Sequence, residues 1–524
     1  MSPTPDNPKS AVTAAATIAG ATEPKGLVLV AIILILALGN FLSLLDLTIS
    51  NVLVPHIAGA LGASPSDATW VITGYGVAEA ITVPLTGWLA ARFGPVRIFV
   101  LGLAGFGVFS LLCGLAPTLN MLILCRVALG VCGGPLIPLS QTLLLTLVPK
   151  RHANAALAVW ALTTILAPAL GPVIGGLIGD NLDWQWAFYC KVPLSFLIAL
   201  CAWRILTPHE APTAKAPMDF VGLALLVTWV GALQVMLGYG QDKDWFNAGL
   251  IVLLLIVAIV CFIAFVIWEM TDQHPIVDLQ VFGNRAFSVS MVVVALAYGV
   301  LFGCIVLIPL WLQTSMGYTS TWAGYISAFM GVSSVAVAPL LAFLMTRVDL
   351  RLLVSFGLFV AATACWMYFG YDDQATFWQL VWPQLLLGAA LMFIMVPLME
   401  MSVSSLPPEH TAAGAGQFNF IRTLASALAA AAVVAFWNDQ TTTDGAVLVS
   451  ELQRPQALLN AATASGMGPH RALSMLDLIM QGQSVMLATN HTFLVLATLM
   501  AGTAAVVWIA PKPPKSAGGM PTAH

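Results

Sequence analysis

The chain contains apolar stretches too long and too uniform for a water-exposed fold. The first, LVLVAIILILALGNFLSLL from Leu27, is apolar on every face of a helix. Such a helix must be surrounded by protein or lipid, and about 20 such residues cross the hydrocarbon of a bilayer. Similar runs recur along the 524 residues, of which 59% are hydrophobic and 8% charged. A soluble chain carries about 25% charged residues, so lipid must replace the missing polar surface. Only helices and closed barrels satisfy the backbone in lipid. Barrel strands would alternate in polarity over about ten residues, and these runs do not. The expected fold class is all-α integral membrane.

Fourteen spans are predicted, at 27–51, 69–91, 98–117, 120–147, 153–178, 187–206, 220–239, 247–269, 286–310, 322–345, 350–370, 379–402, 411–437 and 489–510. An even count puts both termini on one side, and basic residues favour the cytoplasmic side. With both termini inside, the inner segments hold 13 of the 19 Lys and Arg residues. The outer loops hold only Lys243, Arg454 and Arg471, while Arg126, Lys191 and Arg422 lie in or beside spans. Pro84, Leu85, Leu89 and Arg92 recur as Pro339, Leu340, Leu344 and Arg347. That offset carries span 2 onto span 10, as two six-span halves separated by two extra spans would. The organisation expected is a cytoplasmic tail (1–26), a six-helix bundle (27–206) and a linker with two extra spans (207–285). A second six-helix bundle (286–510) follows, with an outer segment at 438–488, and a cytoplasmic tail (511–524) ends the chain.

Charges inside the spans are the candidate functional residues. A charge at the bilayer centre costs about 2.5–3.5 kcal/mol on insertion scales and usually faces a cavity. Asp46, late in an outward span, and Arg126, early in an inward one, share a depth in the outer half. They read either as a structural ion pair or as a proton-exchange site, a carboxylate whose protonation follows its burial and its partner's distance. Glu79 lies mid-span with no basic partner in sequence, as a proton carrier or a contact for a cationic substrate. Glu400 is close enough to the inner end to reach water. Arg422 follows Gln417 and Asn419 in a locally polar helix, which reads as cavity lining or as interhelical hydrogen bonding. The candidate lining of a substrate cavity is Tyr75, Gln141, Gln313, Met395, Asn419 and Arg422. Met392, Met395 and Met399 suit varied apolar substrates but also read as plain packing.

Other chemistry finds little support. The eight cysteines fall in or at the ends of apolar runs, where they read as free thiols acting as small hydrophobes. No histidine lies deep in a span, and no metal-ligand spacing, nucleophile elbow or phosphate loop stands out. No cofactor is expected beyond a proton gradient as energy source. No basic block calls for nucleic acid. The first 24 residues lack the pattern of a signal peptide, so the first span is expected to be retained.

Several motifs carry a family resemblance over nearly the whole chain. LDLTISNVLVP (Leu45–Pro55) resembles the first-span signature of the fourteen-span drug:proton antiporters of the major facilitator superfamily. GWLAARFGPVR (Gly87–Arg97) resembles the superfamily's loop between spans 2 and 3, and CRVALGVCGGPLIPLSQ (Cys125–Gln141) its fourth-span motif. APALGPVIGG (Ala167–Gly176) resembles the antiporter motif of span 5. DWQWAFYCKVP (Asp183–Pro193), PMDFVG (Pro217–Gly222) and PLWLQ (Pro309–Gln313) fit the same branch, nearest to its EmrB-type inner-membrane pumps. The resemblance implies Asp46 as proton carrier with Arg126 as partner. It implies Gly171, Pro172, Gly175 and Gly176 as a packing and hinge motif, and Gly87, Arg92, Gly94 and Arg97 as a cytoplasmic gating loop. The chain departs from the pattern at Ala91, where an acidic residue is usual, so the gating charge contact is absent or moved. It departs also at Pro95-Val96, Leu129 and Lys191, and Glu79 lies outside the pattern.

The reading is therefore proton-coupled efflux of small amphipathic or hydrophobic compounds across a bacterial inner membrane by alternating access. The competing readings are a proton-coupled importer of the same fold, a stand-alone exporter of a specific metabolite, and, from other classes, a membrane enzyme or channel. Segment 438–488 is far longer than the other outer loops, and RALSMLDLIMQ from Arg471 places Leu473, Leu476 and Met480 on one helical face. The resemblance implies a periplasmic adaptor of EmrA type and an outer-membrane channel of TolC type as partners. Segment 438–488 is the candidate docking site.

Overall fold

The computed structural model describes residues 26–511 except 211–212, 214–217, 241–242, 244, 273–274, 278, 408–410 and 452–468. Fourteen long helices dominate the described residues. They are α1 Leu27–Leu61, α2 Trp70–Phe93, α3 Pro95–Gly114, α4 in two pieces (Leu119–Gly133 and Leu136–Leu147), α5 Lys150–Asn181, α6 Lys191–Leu206 and α7 Phe220–Tyr239. The series continues with α8 Gly249–Thr271, α9 Arg285–Thr314, α10 Ser320–Met345, α11 Leu350–Phe369, α12 Phe377–Val403, α13 Thr411–Glu451 and α14 Pro469–Val506. Twelve of these spans are by themselves long and apolar enough to cross a membrane. The other two, α2 and α5, are rich in Gly, Thr and Ala, and α2 carries Glu79 within its length.

Polar side chains punctuate the helix starts, satisfying amide groups that lipid could not. Thr118 accepts from the Met121 amide, Asn284 from Ala286 and Phe287, and Asp349 from Arg351. Thr376 and Gln379 form a reciprocal capping box.

Packing divides the chain. One buried cluster draws Ile32, Phe99, Phe106 and Phe188 from α1–α6 and their connections. A second joins Trp311, Tyr368, Phe493 and their neighbours in α9–α14, with the Tyr368 and Phe493 rings stacked 4.7 Å apart. The two extra spans belong to neither. In a third cluster Leu226 and Trp229 of α7 and Phe265 of α8 pack against Val77 and Val83 of α2 and Phe420 and Ala427 of α13. The added pair thus leans on the place where α2 of one half meets α13 of the other. α8 is the outer member, with Ile256, Ile259, Ile263 and Ile267 about half exposed.

The polar segment at 438–488 corrects its expected form. In the described part it is no separate loop: α13 runs on to Glu451 and α14 begins at Pro469. At about 1.5 Å per residue, the 41 residues of α13 extend about 60 Å, twice the hydrocarbon thickness of about 30 Å. Trp437 donates to Thr489 (2.9 Å), and His491 lies 3.0 Å from Asp444, so the two extensions run side by side. Hydropathy reports where lipid ends, and helix-forming polar residues carry the helix beyond that point. Of the expected apolar face, the side chains of Leu473 and Leu476 lie outside the described residues, and Met480 is half-buried. Met475, Leu478 and Ile479 are exposed. Below, the end of the bundle bearing this hairpin is the stalk end, and the end bearing Leu27 and Val506 is the tail end.

Candidate functional site

Inside the first half, three helices place charged side chains on one point. The Asp46 carboxylate of α1 accepts from Arg126 Nη1 of α4 on one oxygen and from Lys191 Nζ of α6 on the other. Asp46 and Arg126 are 0% exposed and Lys191 1%. Arg126 also donates from Nε to the Val71 carbonyl (2.8 Å), and its guanidinium lies over the Tyr75 ring, 4.5 Å from the centroid. Phe188 takes the Lys191 ammonium on its face at 4.8 Å. The Tyr75 hydroxyl is 3.3 Å from Ser43 Oγ. These contacts fix the guanidinium in orientation, by hydrogen bond and by ring face. Each Asp46 oxygen thus accepts from its own cation.

Sequence reading missed Lys191 as a member. Its signal was present: a basic residue at the stalk-end start of a span, at the depth of Asp46 and Arg126. In sequence Lys191 reads as a basic residue beside a span and as a departure from the motif, and neither reading names Asp46 as its partner.

Glu79 has different surroundings. It is buried on α2, with no ion pair among the described residues, and faces a void of about 20 Å³ that is shared with Thr73, Phe302, Thr423, Ser426 and Ala427. Phe302 belongs to α9 and the last three to α13, so Glu79 lies between the halves. Arg422 of α13, and Asp46 and Arg126 of the first half, lie close enough to act on its charge. Arg422 itself is half-buried over the Tyr298 ring, 5.9 Å from the centroid. Glu400 is exposed at the tail end.

The glycines of span 5 form a seam on two sides. A Cβ on Gly171 would overlap the Thr48 hydroxyl of α1, and one on Gly175 would lie 2.8 Å from the Ile49 carbonyl oxygen. On the other face, a Cβ on Gly176 would strike the backbone of Ser320 and Thr321 in α10, and one on Gly324 of α10 would strike the Pro172 carbonyl. Helix backbones therefore touch directly, as small residues allow. Hydrogen bonds complete the join. Ser320 and Thr321 donate their hydroxyls to the Gly176 carbonyl (3.0 and 3.1 Å) and their amides to the Asp180 carboxylate (3.1 and 2.8 Å). Burial pushes the Asp180 carboxyl up, but the bonds from Thr321 and Ser320 outweigh it and hold it below the ordinary carboxylate range. Nearby, Gln313 Nε2 of α9 donates to the Val52 carbonyl of α1 (2.9 Å). These ties all lie at the stalk end. Toward the tail end of α10, Leu340 and Phe343 are more than half exposed.

The loop between α2 and α3 has its acidic partner from elsewhere. Glu210, just beyond α6, accepts from the amides of Val96 (3.1 Å) and Arg97 (2.9 Å) at the start of α3. A carboxylate there meets the positive end of a helix. It sits against Gly94, whose φ of +96° and lack of Cβ make the approach possible, since an added Cβ would be 2.5 Å from Glu210 Oε1. Arg92 and Arg97 are exposed, and Gly87 has open space beside it. Glu210 stands over 100 residues from the motif, so no local pattern could reveal it.

The six residues expected to line one cavity are not brought together. Tyr75 packs within the first half, Gln313 bonds across the stalk-end join, and Asn419 donates to Ala415 of its own helix (3.0 Å). Met395 packs on the core of the second half, Gln141 is half-buried on α4, and Arg422 faces Tyr298. The void between the halves, about 30 Å³, is lined instead by Thr48, Asn51, Pro172, Ser327, Met330 and Gln384, among others. Among the described residues, neither amide atom of the buried Asn51 has a hydrogen-bond partner. The expected set shared polarity and depth, but helix rotation sends those side chains to different interfaces.

Known proteins resemble this chain in sequence and in fold. Residues 36–430 match the Major Facilitator Superfamily. The chain is similar to the multidrug export protein EmrB of Escherichia coli K12, at 39% identity over 94% of this chain and 98% of that protein. It is similar also to the fatty acid resistance protein FarB of Neisseria gonorrhoeae, at 38% identity with the same coverage. In structure it resembles a bacterial homologue of the human lysosomal transporter Spinster (TM-score 0.63, 16% identity, 93% of this chain and 98% of that one). It likewise resembles a peptide transporter of the POT type (TM-score 0.64, 13% identity, 96% and 100%).

Proposed function

The chain belongs to the major facilitator superfamily of membrane transporters, and we propose that it exports amphipathic drugs in exchange for protons by rocking its two halves about a central site. The observation that carries this reading is the buried Asp46 carboxylate held between Arg126 and Lys191. Three charges hidden together inside a membrane bundle are costly and are kept where they move protons or substrates. When the halves rock, α1 is pulled by its contact with α5, and Asp46 shifts against the two cations. Release from either frees an oxygen to take a proton from the stalk side, and re-pairing expels the proton toward the tail side.

Export, rather than import, is supported by the α5 seam and by the relatives whose names are those of export and resistance proteins. One proton moving down about 100 mV supplies about 2.3 kcal/mol. At about 1.4 kcal/mol per tenfold ratio, that sustains a gradient of about 40-fold. The tail end is assigned to the cytoplasm on the distribution of Lys and Arg, and the protein to a bacterial inner membrane on its likeness to EmrB-type pumps. The helical hairpin of α13 and α14, with Val447, Val449, Met475, Leu478 and Ile479 exposed, would then stand outside and dock a periplasmic adaptor of EmrA type, which leads to an outer-membrane channel of TolC type.

Reconstitution with an imposed pH gradient tests the core of this. Drug addition should drive proton movement through the unsubstituted protein, and Asp46→Asn should reduce that movement at least about 100-fold while drug binding persists. Unchanged coupling in Asp46→Asn would remove Asp46 from the mechanism.

A further inference from the structure

A second, larger cavity opens toward lipid and involves one of the two extra spans. It has a volume of about 390 Å³ and lies between α7, α9, α13 and α14, lined by Leu237, Leu296, Gly299, Ala429, Ala432 and Phe436, among others. That volume is in the range of small-molecule sites, about 300–1,000 Å³. Its width comes from small residues on α9 and α13, and Leu296 and Phe436 are exposed at its rim.

Behind it lies a polar pocket. Leu237 also lines a void of about 30 Å³ between α2, α7 and α13, together with Thr73, Gln234 and Asn438. Gln234 is 3% exposed, and among the described residues neither its amide nitrogen nor its amide oxygen has a hydrogen-bond partner. Such a group costs stability unless something pairs with it. Thr73 in turn lines the void that holds Glu79, six residues and about 9 Å further along α2 at about 1.5 Å per residue. The apolar groove thus shares Leu237 with the void that holds the unpartnered amide, and that void shares Thr73 with the one that holds Glu79.

We infer that this groove is a lateral binding site for the alkyl tail of a single-chain primary ammonium amphiphile, which arrives from the membrane and places its head at Gln234. The inference rests on the export reading for its purpose. The tail gains little on leaving lipid, because lipid is as apolar as the groove. The head supplies the preference: an ammonium donates to the Gln234 oxygen, and the Glu79 carboxyl lies in the next void, across Thr73. The Gln234 oxygen accepts from –NH₃⁺, whereas a trimethylated head has no N–H to donate. The extra span α7 thereby acts as a wall of the access route.

The test uses the full chain in lipid nanodiscs with dodecylammonium carrying a photoreactive diazirine near the end of its tail. Labelling is expected on residues 295–300, 425–436 or 492–499, competed by unlabelled dodecylammonium. Ala432→Phe and, separately, Leu296→Trp fill the groove from partly exposed positions. Each should weaken dodecylammonium binding about tenfold while leaving propylammonium, which has no tail to place, within about twofold. Gln234→Leu should weaken both. Labelling elsewhere, unchanged dodecylammonium affinity in both groove variants, or equal affinity for dodecyltrimethylammonium overturns the inference. If the label maps to the groove but no proton-coupled export occurs, the export reading falls and the groove stands. If export occurs and the groove variants are neutral, the reverse holds.

Discussion

Asp46 and Glu79 are both buried carboxylates in the first half, yet their surroundings differ in kind. Asp46 lies wholly within that half, and each oxygen has its own cation. Glu79 lies on the face that meets the other half, beside a void and without an ion pair. The difference teaches how one helix bundle can separate two tasks. A clamped carboxylate responds when helices of one half shift against each other. A carboxylate on the seam responds to whatever enters between the halves, and to whether they are closed.

Breaking the clamp should have the largest effect. Arg126→Ala leaves Asp46 and Lys191 without the guanidinium that also holds α2 through the Val71 carbonyl and Tyr75. The expected loss is about 3–5 kcal/mol of stability, as for other buried pairs broken on one side, read as thermal unfolding in detergent. Lys191→Ala leaves the Asp46–Arg126 bond and should cost about 1.5–3 kcal/mol. Equal losses would mean that the two cations are not ranked as the geometry ranks them.

Next comes the seam on which the comparison depends. Gly176→Ala puts a methyl group into the backbone of Ser320 and Thr321, an overpacking of about 1–3 kcal/mol. It should separate the stalk ends, seen as a longer distance between probes on the exposed Leu182 and Trp322. An unchanged distance would mean that the seam is not the closing contact.

Glu79→Gln should sharpen the contrast with Asp46. About tenfold weaker export is expected for cationic substrates, equivalent to about 1.4 kcal/mol, with neutral ones little changed. A loss that is equal for both would make Glu79 a proton carrier instead.

The smallest effect is expected at Asp180, which is exposed and joins the halves by hydrogen bonds. Its carboxyl is held below the ordinary value, so its contribution to closure is present above about pH 4, the unperturbed value, and lost only as pH falls below that. Asp180→Asn should open the stalk end less than about threefold. The unsubstituted contact should be indifferent between pH 5 and 8. Opening in that range which disappears in Asp180→Asn would contradict this.

Much of this was legible before any coordinates. The runs from Leu27 onward set the number of helices, because lipid leaves the backbone no other solution. Asp46 and Arg126 were legible as a pair because both helices run at known depth and opposite direction. Lys191 and Glu210 were not, because each acts on a group more than 100 residues away in sequence. The six cavity candidates were misplaced because depth follows from sequence but rotation about the helix axis follows from packing. The stalk was misread because polar residues end a membrane span without ending a helix.

The sequence by itself determined the membrane, the fourteen helices, their alternation and the few charges buried in them. All of these follow from the cost of exposing polar groups to hydrocarbon. Only the tertiary structure decided that Asp46 meets two cations, that Glu79 faces the other half, and that α7 lines a route from the lipid. Those depend on which side of each helix turns toward which neighbour, and close packing between backbones at Gly171, Gly175 and Gly176 sets that.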